Sequence, residues 1–362
     1  MLFRSMGLYL RFLLIVRSRK LSPLHAEALN YVDAFVEQYP LHLYPVVAKA
    51  LELAYLKNRL TRLVDGTVKV VEVAVGEGTL SARLFPKGVT ITALDLNPYS
   101  LVKTLRFPHI GQAVVCDGLN PPLRPGAFDL LVAVNFLDHI TDKESTITNW
   151  ARRARLLLFT ENTDRWATGW SIPYAARKIG LRRFANKYAT KIGRTSMQQL
   201  EPLDSLTRRF GAVKGIDILE QISFMSERTF FYSTIFSLFM RCYGPPTPPR
   251  LKRLFLGPLR WCAIPMTKKL AEALIRLDGS ENRRSDTFVV FLCESRDFEA
   301  SDDDRDLVCP HCQGLLDDES CSICGLKFKT SDGMLFLLPE EFRFVAEEYS
   351  SERASEIAAE HL

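Results

Sequence analysis

The chain lacks any long apolar run. Its most lipid-like stretch, residues 1–20, is broken by Arg4 and Arg11, and its apolar part falls short of the roughly 20 residues that span a bilayer. No small-residue cleavage site follows, which argues against a secretory signal. Two readings of that stretch stand: a basic amphipathic helix on a membrane surface, or an ordinary N-terminal helix packed on the fold. Cysteine is scarce, eight in 362 residues, and four of the eight share one motif. That is too few for a disulfide scaffold and implies a reducing compartment. The expected location is the cytoplasm, with a peripheral place at the inner membrane face left open. The dinucleotide fingerprint G-x-G-x-x-G is missing as well, because Ser81 stands where its third glycine belongs. No motif fixes a catalytic base.

What is present starts with size. A chain of 362 residues with 47% hydrophobic content can bury a full core and hold more than one domain. Residues 69–118 organise it. The apolar run Val70 to Val75 breaks at Gly76-Glu77-Gly78, a helical pattern covers Thr79 to Phe85, and a second apolar run, Val89 to Leu94, ends on Asp95. A strand that stops at glycines and opens a helix is the layout of a nucleotide-binding β-turn-α unit. Glycine lets the backbone turn sharply beside a ligand, and the helix start offers free N–H groups. A carboxylate about 20 residues on, at the end of the next strand, can accept from ribose hydroxyls.

Glu72-Val73-Ala74-Val75-Gly76-Glu77-Gly78 resembles the first motif of class I S-adenosylmethionine-dependent methyltransferases, with Ala74 in place of the first glycine. Three further matches follow in order. Asp95-Leu96-Asn97 resembles the ribose-binding strand end. Cys116-Asp117-Gly118 resembles the motif whose acid meets the adenine amino group. Phe128 to Val134 resembles the fourth strand, and Asn135 to His139 the segment lining the methyl-donor pocket. The resemblance, to the type 11 methyltransferases in particular, implies a Rossmann-like α/β sheet of seven strands, the last antiparallel. It also implies S-adenosylmethionine as cofactor, held by Glu72, Ala74, Gly76, Gly78, Asp95, Leu96, Asp117, Gly118 and Asn135. Asp138, His139 and Glu161 lie at the carboxyl edge of the sheet and are catalytic candidates by position alone.

Leu156 to Phe159 reads as the fifth strand, and Val213 to Phe224 and Thr287 to Cys293 as the last two. Helical spacing covers residues 24–64. Two segments exceed a minimal fold. Residues 151–195 carry eleven Arg or Lys against Glu161 and Asp164, among Trp166, Trp170, Tyr174 and Tyr188. Residues 225–286, a helical cap insertion, hold eleven bases against five acids around an apolar run from 230 to 240. Basic patches with aromatics suit an anionic membrane surface, a lipid-linked acceptor or single-stranded RNA; a cap with a solvated basic face is the plain alternative. From Ser295 to Leu362 the chain has 17 acids against 6 bases, so a basic body precedes an acidic tail.

Within that tail, Cys309-Pro310-His311-Cys312 and Cys321-Ser322-Ile323-Cys324 form two knuckles that can close tetrahedrally on one zinc. His311 reads as a bystander. The following residues, through Asp332-Gly333 and Leu337-Leu338, resemble the small zinc-ribbon partner that activates several RNA and protein methyltransferases, which implies a scaffold or docking role in cis. The expected layout is an N-terminal helical region (1–66), a methyltransferase domain (67–298), a zinc ribbon (302–342) and an acidic tail helix (343–362). The expected acceptor is a small or lipid- or glycan-linked molecule. RNA or protein comes second and a non-catalytic partner third, with no separate partner subunit required.

Overall fold

The computed structural model describes residues 21–39, 43–64, 68–86, 88–163, 183, 200–234, 249–279, 284, 286–301, 303 and 305–350, with side chains of the 249–278 helix from residue 264 onward. The stretch 1–20, the aromatic basic segment beyond 163, the Pro-rich 245–248 and the tail beyond 350 lie outside the described residues.

Val70–Val73 (β1) is buried at all four positions, as a central parallel strand covered on both faces must be. It pairs in parallel with β2 (Ile91–Asp95) on one side and β4 (Phe128–Ala133) on the other. β3 (Ile110–Val115) and β5 (Ala154–Asn162) extend the sheet outward, also in parallel. Beyond β5 come β7 (Phe288–Ser295) and then β6 (Ile216–Ser223). Thr163 N–H, just past β5, donates to Thr287 O, just before β7, at 3.1 Å. Arg296 N–H, just past β7, donates to Gly215 O, just before β6, at 2.8 Å. Each bond sets the end of one strand beside the start of its neighbour, so β7 runs antiparallel. The Rossmann-like α/β class holds.

The sheet has nine strands, two more than the seven expected. Two short antiparallel strands of the knuckles, β8 (Leu316–Asp317) and β9 (Ser320–Cys321), pair with each other, and the addition to the large sheet is the hairpin that follows, β10 (Lys329–Ser331) and β11 (Met334–Phe336). Its turn, Asp332-Gly333, has positive φ at both residues (50° and 77°), the geometry that matches the right-handed twist of paired strands. β11 lies parallel to β3, Met334 opposite Ala113 and Phe336 opposite Val115, and Leu337 N–H continues the ladder to Val115 O at 2.9 Å. Met334, Phe336, Leu338 and Tyr349 share one buried cluster with Val75, Leu101 and Val115. The segment leading into the cysteine knuckles is docked as well. Arg124 N–H donates to Asp306 O (2.9 Å) and its Nε to Arg305 O (2.6 Å). Its Nη2 donates to Asp303 O, and Lys69 pairs with Asp306 at 3.0 Å. Arg124 and Lys69 thus hold residues 303–306 against the sheet domain.

The helices are α1 (Pro23–Asn30), α2 (Val32–Gln38), α3 (Leu43–Leu63), α4 (Ser81–Leu84), α5 (Pro98–Thr104), α6 (Lys143–Ala151), α7 (Leu203–Gly211) and α8 (Pro249–Asp278). The one-turn α4 is shorter than the pattern Thr79 to Phe85 predicts. Phe85 is extended (φ −83°, ψ 142°) because Pro86 follows it, and a residue before proline is driven out of the helical region.

The chain divides into two compact units: Met1–Arg59 with Asn162–Leu203 and Ile222–Val289, and Leu60–Glu161 with Asp204–Gln221 and Val290–Leu362. In the first, α1 and α2 pack on α8. A buried Asp278 gathers His25 Nε2 (3.0 Å), Ser226 N–H (2.5 Å) and Arg284 Nη1 (2.6 Å). Burial pushes the Asp278 carboxyl up, but His25 and Arg284 outweigh it and hold it below the usual range. The second unit holds the glycine turn, all four family-like motifs and the cysteine knuckles.

Candidate cofactor site and four-thiolate centre

The strand order reverses between β1 and β4, and a doubly wound sheet binds its ligands in the crevice at that point. β1 ends at Val73, and the next five residues carry three positive φ values: Ala74 (57°), Gly76 (58°) and Gly78 (69°). Thr104 Oγ1 donates to Gly76 O at 2.8 Å, and Gly76 N–H donates to Asp95 Oδ2 at 2.7 Å. The second carboxylate oxygen, Oδ1, accepts from Asn97 N–H at 2.8 Å. Asp95 therefore clamps the glycine turn to the end of β2. Burial raises its pKa, opposed by the N–H groups of Asn97 and Gly76. A Cβ on Gly76 would meet nothing within 4 Å, whereas one on Gly78 would lie 2.8 Å from Thr104 Cγ2. Gly78 is thus required by packing and Gly76 borders open space, where a ligand can approach the backbone.

Ala74 adopts the left-handed conformation at the family's first glycine, which costs an L-residue roughly 1–2 kcal/mol. Replacing Ala74→Gly is expected to raise stability by about 0.5–1 kcal/mol, since relieved strain exceeds the added freedom of the unfolded chain. Urea denaturation with unchanged slope checks this.

Glu72 lies fully buried behind the turn, and its Oε2 finds no hydrogen-bond partner among the described residues. Burial pushes its pKa up to about 8, opposed by the Ser81 hydroxyl and reinforced by Asp95. The unfolded chain would titrate in the ordinary carboxylate range. Between that range and about 8 the folded chain keeps a proton that the unfolded chain has lost, so stability falls as pH rises through the window. Glu72→Gln is expected to match the parent at pH 4 and to exceed it by several kcal/mol at pH 8. Melting curves at the two pH values check it.

Gly118 follows β3. A Cβ there would lie 2.8 Å from Val73 Cγ1 and 3.2 Å from Phe136 Cζ, and Trp150 Nε1 donates to its carbonyl at 2.9 Å. Asp117 Oδ1 accepts from Leu119 N–H at 3.0 Å. Leu96 is 37% exposed beside Asp95. Asn135, at φ 54°, donates its N–H to Thr160 Oγ1 at 2.9 Å and so joins the ends of β4 and β5.

The catalytic candidates separate. Glu161 is buried in an ion pair with the equally buried Lys143. Asp138 is buried beneath the exposed His139, whose Nε2 lies 3.8 Å from Asp138 Oδ1. His139 presents its ring to solvent. Sequence reasoning missed Thr104, Lys143 and Trp150. Their only signals are polar or aromatic residues on helices, which carry no spacing rule.

The Sγ atoms of Cys309, Cys312, Cys321 and Cys324 all lie within 4.8 Å of one another, with Cys309–Cys324 at 3.8 Å and Cys312–Cys321 at 3.3 Å. A tetrahedral zinc with 2.3 Å bonds separates its sulfurs by about 3.8 Å, so the donor set fits zinc. Ile323 and Cys324 N–H groups donate to Cys321 Sγ at 3.4 and 3.5 Å, as suits a sulfur carrying negative charge.

Residues 71–155 match the family described as a methyltransferase domain. A ubiquinone biosynthesis O-methyltransferase of Xanthomonas euvesicatoria pv. vesicatoria is 31% identical over 128 residues, 34% of this chain and 50% of that protein. Its counterpart in Xanthomonas oryzae pv. oryzae is 31% identical over 134 residues, 35% of this chain and 52% of that one. The chain spans about half the length of these curated relatives. Among solved structures, a geranyl diphosphate methyltransferase in complex with SAM is similar at TM-score 0.39 and 13% identity, over 68% of this chain and 84% of that one. Residues 71–155 thus carry a methyltransferase domain.

Proposed function

We propose that this chain transfers a methyl group from S-adenosylmethionine to a small-molecule or lipid- or glycan-linked acceptor. The observation that carries the reading is the Gly76–Asp95 clamp, which leaves a glycine turn over open space with a buried carboxylate behind it. Relatives named for O-methylation in ubiquinone biosynthesis support a small acceptor bearing an oxygen. Gly76 and Gly78 would border the donor, Asp95 its ribose and Asp117 its adenine. When bound, S-adenosylmethionine supplies an already activated methyl group. What remains for the protein is alignment and, for a hydroxyl acceptor, removal of a proton. His139 takes that proton.

The four-thiolate centre holds a structural zinc, since four protein ligands leave no open position. No helix among the described residues is long and apolar enough to cross a membrane, so a lipid-linked acceptor would be met at the membrane face.

Incubation of the protein with methyl-labelled donor and a cell extract, followed by phase separation, tests the acceptor class. Label in the organic or small-molecule fraction supports the proposal, and His139→Ala should slow its appearance about 100-fold at unchanged donor affinity. Label in RNA or protein overturns the acceptor class in favour of the macromolecular reading that the basic segments suggest.

A further inference from the structure

The last described stretch of the chain is a helix over residues 343–350. Phe342, Val345, Ala346 and Tyr349 recur at spacings of three and four, which puts them on one face. That face packs in the buried cluster that holds Val75, Leu101 and Val115, while Glu347 and Glu348 are exposed. Tyr349 is 1% exposed and bridges two segments. Its hydroxyl donates to Asp332 Oδ2, in the turn of the β10–β11 hairpin, at 2.7 Å, which gives the buried phenol the partner it needs. Its ring meets Tyr99 edge to face, the centroids 5.0 Å apart at 64°. Tyr99 lies in the first turn of α5. Asn97 Oδ1 caps that helix by accepting from Tyr99 N–H (3.0 Å) and Ser100 N–H (3.3 Å), and Asn97 N–H donates to Asp95 Oδ1 (2.8 Å). The other oxygen of Asp95 holds Gly76.

We propose that Tyr349 is a positioning residue for the donor site: held by the hairpin turn, it fixes Tyr99 and so the cap that ties α5 to Asp95. The inference rests on the cofactor reading above. A helix as short as α5, seven residues, does not hold its own start in water and depends on packing against its neighbours. The ring of Tyr99 is 37% exposed, so water covers part of it and Tyr349 supports it from the core side. If Tyr99 shifts, its N–H leaves Asn97 Oδ1, and the backbone bonded to Asp95 is freed with it. A misplacement of about 1 Å is enough to impair a site that works by alignment. The C-terminal helix thereby sets the geometry of the glycine turn from outside the minimal fold.

Calorimetry of the full, zinc-loaded chain with S-adenosylhomocysteine, at a temperature where every variant is folded, tests it. Tyr349→Ala should weaken binding about tenfold at unchanged zinc content. In the same variant the amides of Gly76, Asn97, Tyr99 and Ser100 should exchange hydrogen about tenfold faster, with those of β4 and β5 unchanged. Tyr349→Phe loses the bond to Asp332 and some stability but keeps the ring against Tyr99, so it should recover most of the affinity. Tyr99→Ala empties no core and carries the test should Tyr349→Ala fail to fold; it should cost the same, about tenfold. The double variant should bind no worse than either single one, because both act through one contact. Parental affinity in Tyr349→Ala or in Tyr99→Ala, or losses that add in the double variant, overturn the inference while the cofactor reading stands. A folded parent that binds no S-adenosylhomocysteine overturns the cofactor reading itself.

Discussion

Stripping the metal with a strong chelator, or replacing Cys321→Ser, is expected to unfold the knuckles and to weaken donor binding in the same titration. The module has little else to fold on. Leu307, Val308 and Leu316 are its buried apolar residues before the hairpin, whereas a structural zinc contributes on the order of 10 kcal/mol in small domains. The damage travels because the hairpin belongs to the sheet. Loss of β11 would uncover Val115 and Leu101, and with them Val75 of the cofactor turn, since all share one cluster with Met334 and Phe336. The melting temperature should fall on the order of 10 °C, and the donor dissociation constant should rise about tenfold or more. A zinc-free protein that melts and binds like the loaded one would show that the apolar cluster holds the module alone.

Asp95→Ala is expected to abolish donor binding at any concentration ordinarily used. The carboxylate accepts two backbone N–H groups, Gly76 at 2.7 Å and Asn97 at 2.8 Å, and charge-assisted bonds of this kind contribute about 1.5–3 kcal/mol each. Removing it frees a turn that already carries strain at Ala74 and deletes the acceptor proposed for the ribose. The affinity loss should exceed about 100-fold, with a stability loss of about 2–3 kcal/mol. Asp95→Asn keeps one acceptor oxygen and should fall between. If Asp95→Ala bound the donor as the parent does, the clamp would be irrelevant to the site.

Much of this was legible in the sequence, for reasons that lie in short-range chemistry. Buried parallel strands show as apolar runs, and the residues that end them at glycine or aspartate fall where the turn and the clamp need them. The knuckle spacing is likewise a local rule, and so is the Asp-Gly turn of the final hairpin. Strand pairing between distant segments has no such rule. That β11 would join β3, more than 200 residues earlier, follows from exposed sheet edge meeting a free strand, and composition suggested only an acidic tail. The burial of Glu161 against Lys143 was hidden for the same reason. A glutamate at a strand end reads as accessible until the helix bringing its lysine is in place.

The central claim is that this chain binds S-adenosylmethionine through the turn after β1. Isothermal calorimetry of the zinc-loaded protein with S-adenosylmethionine, beside Asp95→Ala, tests it most directly. The account predicts one site per chain with micromolar affinity in the parent and none in the variant. A folded, zinc-loaded parent that takes up no donor would contradict it and leave the chain a non-catalytic partner built on a methyltransferase fold.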